Sequence, residues 1–352
     1  MKRLFVQGSS FCDIDCDYCF VRGRNDKARL SLDYLHDVYR IINNSETDVE
    51  IVWHMGEPLV LGFNFFKKVL EYIPVSEHIR HRIVTNGLLL NDDWLSFLAD
   101  NCISLTISSD GPIEVHDRYR TSRKEAGTFE VVHKNLCRSI KKGVCDSVLC
   151  TITKESLSKA AQIYEYFSSV GVEYLGFNVE RQLDSPEIQV LSLEKFDSLE
   201  LFWKDLYEAW EKDSYSLFIR EFYRTLSALN SDECPLQPDE LKSNYNYSLS
   251  KNGDLYKYIP QIAGSDSLVS SPFFVGNVKN LNSFEETSEL PVYSEMLNSQ
   301  RLCSEKCDFY RFCGGAFVLE KLVENGMLNS TSTAACERQV IQLAKVVSRK
   351  HG

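Results

Sequence analysis

Residues 9–25 read "SSFCDIDCDYCFVRGRN", directly after a short apolar run, "LFVQ", at residues 4–7. Cys12, Cys16 and Cys19 thus fall close together on one short segment. Three thiols are one fewer than a closed structural zinc site or a fully ligated iron–sulfur site uses. Whether the segment supports the fold or carries chemistry depends on where it lies in the architecture.

Apolar strand candidates recur at Leu4–Gln7, Val49–Trp53, His81–Val84, Ser104–Ser108, Ser147–Thr151 and Tyr174–Val179. Between them run stretches with helical spacing, among them Leu32/Leu35/Val38/Ile42, Phe65/Phe66/Val69/Leu70 and Trp94/Leu95/Leu98, then Val132/Leu136/Ile140 and Ile163/Tyr164/Phe167. Asn91 before Asp92 and Asp93 reads as a helix cap followed by first-turn acids. Continuous apolar strands alternating with amphipathic helices indicate parallel β/α units. Six units fall short of a closed eight-unit barrel, so the expected fold class is α/β, a partial, open (β/α)6 barrel of TIM type. Reactive groups in such folds sit on loops at the carboxyl ends of the strands. The three-cysteine loop follows the first strand, "HMGEP" (residues 54–58) the second and "TNG" (85–87) the third, while "SDGP" (109–112) ends the fourth.

Past Pro186 the alternation is expected to stop. Residues 192–212 read as one helix with the stripe Phe196/Leu199/Trp203/Leu206/Trp210, bridging onto the barrel. The expected division is a barrel over residues 1–190, a bridging helical segment over 191–232 and a small cysteine-bearing domain over 233–352. The polypeptide begins almost at its first strand, so a peptide partner is expected to be recognised within it or by a separate protein.

Formal net charge is −11, without a block of like charges, so a nucleic-acid footprint is not expected. No apolar run approaches a membrane span or a signal peptide, which makes the cytoplasm the default location. Twelve cysteines in such a protein point to metal binding or core packing rather than disulfides. Cys102, Cys137, Cys145 and Cys150 sit singly in apolar contexts and read as small buried hydrophobes. His54 and His116 read as structural hydrogen-bonding groups.

A second group reads Cys303-x3-Cys307-x5-Cys313, then Gly314 and Gly315, with Cys336 after a gap. Four thiols beside a glycine turn suit a closed zinc site or a fully ligated [4Fe–4S] cluster.

The four loop motifs, in this order at four successive strand ends, resemble the radical S-adenosylmethionine (SAM) superfamily. The resemblance implies that Cys12, Cys16 and Cys19 hold a [4Fe–4S] cluster whose remaining iron is chelated by SAM. It implies that Tyr18 lies against the adenine, and that Met55, Gly56 and Glu57 face the SAM ammonium group, with Met55 where the family has a glycine. Thr85, Asn86, Ser108 and Asp110 are implied to contact the ribose and carboxylate. The C-terminal group resembles a SPASM-type (twitch-like) domain. Two positions where its pattern wants cysteine hold Tyr258 and Phe317. The resemblance therefore implies one auxiliary [4Fe–4S] cluster, held by Cys303, Cys307, Cys313 and Cys336, with Cys234 left as a buried thiol.

"IVWHMGEPL" (51–59), "DGPIEVHDRYR" (110–120), "YLGFNVE" (174–180) and the closing "CDFYRFCGGAFVLEKLVENGMLNSTSTAACE" (307–337) resemble the branch that forms cyclophanes in glycine-rich-repeat peptides; its usual Asn-Lys reads Glu320-Lys321 here. That implies a peptide substrate, a carbon–carbon crosslink between two of its side chains, and electrons from a flavodoxin- or ferredoxin-type donor. Glu180 and Asp110 are the candidate bases by position. Epimerisation or dehydrogenation of a peptide or small natural product is the alternative chemistry, and a non-catalytic scaffold with two zinc sites the alternative class.

Overall fold

The computed structural model describes residues 1–21, 23–180, 196–231, 245–258, 271–284 and 290–351, with only the backbone of 196–198. Six strands, β1 (Lys2–Val6), β2 (Val49–Trp53), β3 (Ile79–Thr85), β4 (Ser104–Ser108), β5 (Cys145–Ile152) and β6 (Tyr174–Val179), lie side by side in sequence order. Every neighbouring pair among them is parallel. Helices α1 (Asp33–Asn43), α2 (Phe63–Tyr72), α3 (Asp92–Asp100), α4 (Ile113–Tyr119), α5 (Phe129–Lys141) and α6 (Ala160–Val170) make the crossovers. All five residues of β2 are buried, as a strand covered on both faces requires. The sequence reading of α3 holds in detail, because the Asn91 side chain accepts from Trp94 N–H at 2.9 Å.

Helix α7 (Phe196–Lys212) buries Leu199, Trp203, Leu206 and Trp210. It packs against α6 and against the C-terminal helix Gln342–His351. The alternation does not stop after Pro186, contrary to the sequence reading. A short strand, β7 (Phe218–Ile219), pairs parallel with β6, and α8 (Arg220–Asn230) follows it. Two residues are too few to leave an apolar run that sequence patterning can detect.

Three further strands join the other edge of the sheet. Strand β8 (Asn246–Leu249) pairs parallel with β1, and β9 (Asp254–Lys257) and β10 (Phe274–Asn277) continue antiparallel beyond it. The exposed edge of β1 is thereby covered by later residues. A second, smaller core forms from Tyr258, Phe273, Val292, Met296, Val318, Leu319 and Leu328. Tyr258 is a buried member of that core, in edge contact with Phe273.

Not all of the singly placed cysteines are buried. Cys150 is buried, but Cys137 and Cys145 are only partly so, and Cys102 is exposed. Cys102 turns the backbone from α3 into β4 with φ +53°, and this left-handed turn lies at the surface. Cys234 lies outside the described residues. Among the described residues, no helix is long and apolar enough to cross a membrane.

Candidate active site

The strand ends open on one cavity of about 210 Å³. Cys12, Cys16, Cys19, Tyr18, Met55, Gly56, Thr85, Asn86, Ser108 and Glu180, all singled out from sequence, line it. Glu57 and Asp110 stand behind that wall and hold it together. His54 also lines the cavity, joined by Arg120, Leu149, Thr151, Asn178 and Gln339, which the sequence reading did not select. Arg120 closes the quoted "DGPIEVHDRYR" segment and Asn178 lies within "YLGFNVE", so both sat in motifs without being chosen. Gln339 comes from a stretch of π-helix, Glu337–Ile341, that no sequence pattern announced.

The loops after β1 and β2 are pressed together by backbone. Glu57 N–H donates to Phe11 O at 2.9 Å. A Cβ on Gly56 would stand 2.4 Å from Ser9 O and 2.7 Å from Phe11 O, and its φ is +62°. Only glycine fits there. Met55 has φ +65° and is buried, so it holds a left-handed conformation that disfavours any side chain.

Glu57 ties β2 to β3. One carboxylate oxygen accepts from Thr85 Oγ1 at 2.7 Å and from Leu59 N–H at 2.9 Å; the other accepts from Asn86 N–H at 2.8 Å. Burial pushes this carboxyl up to about 8. Asn86 Nδ2 donates to Asp13 Oδ1 at 2.7 Å and lies 3.7 Å from Cys12 Sγ, which fastens the third loop to the first.

Asp110 is fully buried, with both oxygens engaged. Oδ2 accepts from Tyr18 Oη at 2.6 Å and from Arg120 Nε at 2.9 Å, and Oδ1 accepts from Thr151 N–H at 2.9 Å. A carboxylate held by three donors, one of them a guanidinium, has little freedom to take a substrate proton. Of the two candidate bases, Glu180 is the one in the cavity wall. His116 Nδ1 accepts from Asp110 N–H at 3.4 Å while Nε2 lies 3.1 Å from Thr128 Oγ1. Burial lowers its pKa to about 4, so it is a neutral structural group, as read from sequence. Burial lowers His54 to about 4 as well.

The donor set suits an iron–sulfur cluster. Burial pushes Cys16 up to about 12 and raises Cys12 strongly too, so bare thiolates are disfavoured unless a bound group brings positive charge. Among the described residues lining the cavity there is no fourth cysteine. The C-terminal thiols also sit together: burial raises Cys313 to about 11, and Cys336, Cys303 and Cys307 act on it electrostatically. Thr333 Oγ1 lies 3.1 Å from Cys336 Sγ, and Lys321 Nζ donates to Cys303 Sγ at 3.4 Å. Among the described residues no three His, Cys, Asp or Glu side chains stand close enough together to hold a single metal ion.

The Radical SAM superfamily profile matches residues 6–167. Over 362 aligned residues the protein is 28% identical to the uncharacterized protein sll1766 of Synechocystis sp., covering 98% of this sequence and 90% of that one. It is 24% identical to the cysteine-type anaerobic sulfatase-maturating enzyme of Clostridium perfringens, covering 90% and 88% of the two. Among solved structures, native anSMEcpe with bound AdoMet superposes with a TM-score of 0.77 at 22% identity, covering 98% of this protein and 94% of that one. Streptococcus suis SuiB bound to precursor peptide SuiA gives 0.68 at 15% identity, covering 95% and 75%. At such identities these two superpositions establish the fold.

Proposed function

Starting from a protein that is a radical SAM enzyme, we propose that it matures a ribosomal peptide by joining two side chains through a carbon–carbon bond, as a cyclophane. One observation carries the reading: Asn178 and Glu180, from the "YLGFNVE" segment, line the same cavity as Cys12, Cys16 and Cys19. When bound, the cluster and SAM together supply a nucleoside radical able to take a hydrogen atom from an unactivated C–H bond.

The protein's own residues then have distinct tasks. Cys12, Cys16 and Cys19 hold the cluster. Tyr18, Met55, Gly56, Glu57, Thr85, Asn86, Ser108 and Asp110 form and brace the SAM pocket, Asp110 by fixing Tyr18 and Arg120. The apolar walls of the pocket, such as Leu149 and Val179, keep water from the reacting atoms. Crosslinking removes two hydrogens from the peptide, one as an atom and one as a proton with an electron left over. Glu180 takes the proton; Cys303, Cys307, Cys313 and Cys336 would hold an auxiliary [4Fe–4S] centre, which would supply a one-electron acceptor. An external flavodoxin- or ferredoxin-type protein supplies reducing equivalents. The division into barrel (1–190), bridging segment (191–232) and cluster-bearing domain (233–352) is one of task, since β7 and β8–β10 extend the barrel's own sheet.

Support for a peptide partner comes from the SuiB structure, which holds a precursor peptide. A second reading, modification of one residue within a protein such as a sulfatase, is favoured by the relatives named sulfatase-maturating enzymes.

The test is anaerobic incubation with SAM, a reductant and peptides encoded beside the gene, followed by fragmentation mass spectrometry. A crosslink lowers the mass by about two units and suppresses backbone cleavage between the joined residues. The same loss with cleavage intact favours one-residue oxidation. Deuterium uptake without net loss means epimerisation and defeats the crosslink reading.

A further inference from the structure

Lys321, on the helix Val318–Asn325, is 1% exposed. Its Nζ donates to Ser299 Oγ at 2.8 Å, to Gly315 O at 2.8 Å and to Cys303 Sγ at 3.4 Å. Among the described residues these are its hydrogen-bond partners, it acts electrostatically on Cys336 as well, and no carboxylate forms an ion pair with it. Glu324, one turn further along, is 3.7 Å from Arg338 and accepts from Ala334 N–H. An ammonium taken out of water without an anion costs several kcal/mol, so a buried lysine of this kind calls for negative charge nearby.

The local fold aims the lysine at the thiols. Ser299 and Cys303 lie on successive turns of the helix Pro291–Lys306, on its buried side. The turn at Gly315 has φ +82° and is pressed against that helix, where a Cβ would come within 3.0 Å of Gln300 Cα and 3.5 Å of Cys303 Cβ. This close approach brings both the Gly315 carbonyl and Cys303 Sγ within reach of Nζ. Among the described groups around Nζ, only deprotonated cysteines can answer the ammonium.

We propose that Lys321 is the counter-charge of the four-cysteine centre, and that it favours the form of that centre carrying one more electron. The inference rests on the reading that Cys303, Cys307, Cys313 and Cys336 hold an iron–sulfur cluster. A fixed cation beside a ligating sulfur stabilises added negative charge, which raises the reduction potential. The centre is thereby suited to accept the single electron that the oxidised substrate gives up as its proton goes to the base.

The experiment uses the full-length protein with Cys12, Cys16 and Cys19 replaced by alanine, so that only the C-terminal centre reports. Iron content and the midpoint of a dye-mediated reductive titration are measured for Lys321, Lys321→Gln, Lys321→Arg and Ser299→Ala. Lys321→Gln should shift the reduction equilibrium at least tenfold toward the oxidised form, about 59 mV for one electron. Lys321→Arg and Ser299→Ala, which keep the charge, should stay within about threefold of the parent. If Lys321→Gln does not fold, the near-isosteric Lys321→Met takes its place. A chelator should also strip iron at least tenfold faster from the uncharged variant. Unchanged midpoint and stripping rate at equal iron content overturn the proposal alone. A parent protein that binds zinc and shows no reducible centre overturns the underlying reading, and the proposal with it.

Discussion

The Tyr18 hydroxyl donates a 2.6 Å hydrogen bond to Asp110 Oδ2, which joins the three-cysteine loop after β1 to the end of β4 across the floor of the barrel mouth. Arg120 completes the arrangement from α4's end, 2.9 Å from the same oxygen and 5.5 Å from the Tyr18 ring. Asp110→Asn leaves a buried guanidinium without its counter-ion and should destabilise the fold by about 3–5 kcal/mol. Tyr18→Phe removes one charge-assisted hydrogen bond and should cost about 1.5–3 kcal/mol. Urea unfolding of both variants checks the order; equal losses would mean that the ion pair is not the dominant contact.

Gly56→Ala drives a methyl group into the carbonyls of Ser9 and Phe11, which are backbone and cannot swing away. Destabilisation of at least about 2 kcal/mol is expected, with less iron retained by the N-terminal loop. A variant with parental stability and iron content would show that the loops after β1 and β2 are not packed this way.

Met55→Gly sets two effects against each other. Relief of the left-handed backbone gains about 1–2 kcal/mol. Loss of a buried methionine costs about 2–5 kcal/mol, and the added backbone freedom about 0.5–1 kcal/mol more. The packing loss wins, so the variant should be less stable by about 0.5–5 kcal/mol. A more stable Met55→Gly protein would show that packing of the methionine contributes little.

Stability should peak near pH 6.5. Burial lowers His81 and His116 from about 6.5 to about 4, so their contribution is complete above pH 6.5 and is lost as pH falls toward 4. His54 acts in the same direction. Glu57, raised from about 4.5 to about 8, contributes fully below pH 4.5 and loses its share as pH rises toward 8. Between pH 6.5 and 4.5 His54, His81 and His116 take up three protons on unfolding while Glu57 releases one. The difference of two protons is about 2.7 kcal/mol lost per pH unit of acidification. Above pH 6.5 Glu57 alone of these groups acts, and stability declines. Urea midpoints from pH 4.5 to 8 test this; a Glu57→Gln profile that still declines above 6.5 removes Glu57 as the cause.

Glu180→Gln keeps the size of the side chain and removes its basicity. Under the proposed crosslinking role, formation of 5′-deoxyadenosine should persist while crosslinked product falls about 10²–10⁴-fold, the range for loss of a positioned base. Cys12→Ala should abolish both. Parallel loss of nucleoside and product in Glu180→Gln would assign that residue to the SAM pocket instead of the proton transfer.

Much of the site was legible because its residues occupy fixed places in β/α units. Once Leu4–Gln7 and Val49–Trp53 are recognised as strands, the loops carrying Cys12 and Gly56 must meet at one end of the sheet. Arg120, Thr151 and Gln339 were harder to find. Arg120 lies at the far end of α4, Thr151 contributes mainly a backbone N–H, and Gln339 arrives from the C-terminal region, through contacts that no local spacing encodes. Strand β7 was missed for its length, and exposed Cys102 because a turn residue can follow an apolar helix without being buried.

By itself the sequence determined the periodicities, and with them the parallel barrel and the gathering of three thiols, a glycine-tight loop and two polar turns at its carboxyl end. Local steric and burial preferences suffice for that, since each repeats within a few residues. Only the tertiary structure decided that Asp110 is locked by Tyr18, Arg120 and Thr151 while Glu180 faces the cavity, and that Lys321 meets Cys303. Those outcomes depend on which distant charges and donors share a desolvated space, where an ion must find its partner whatever the separation in sequence.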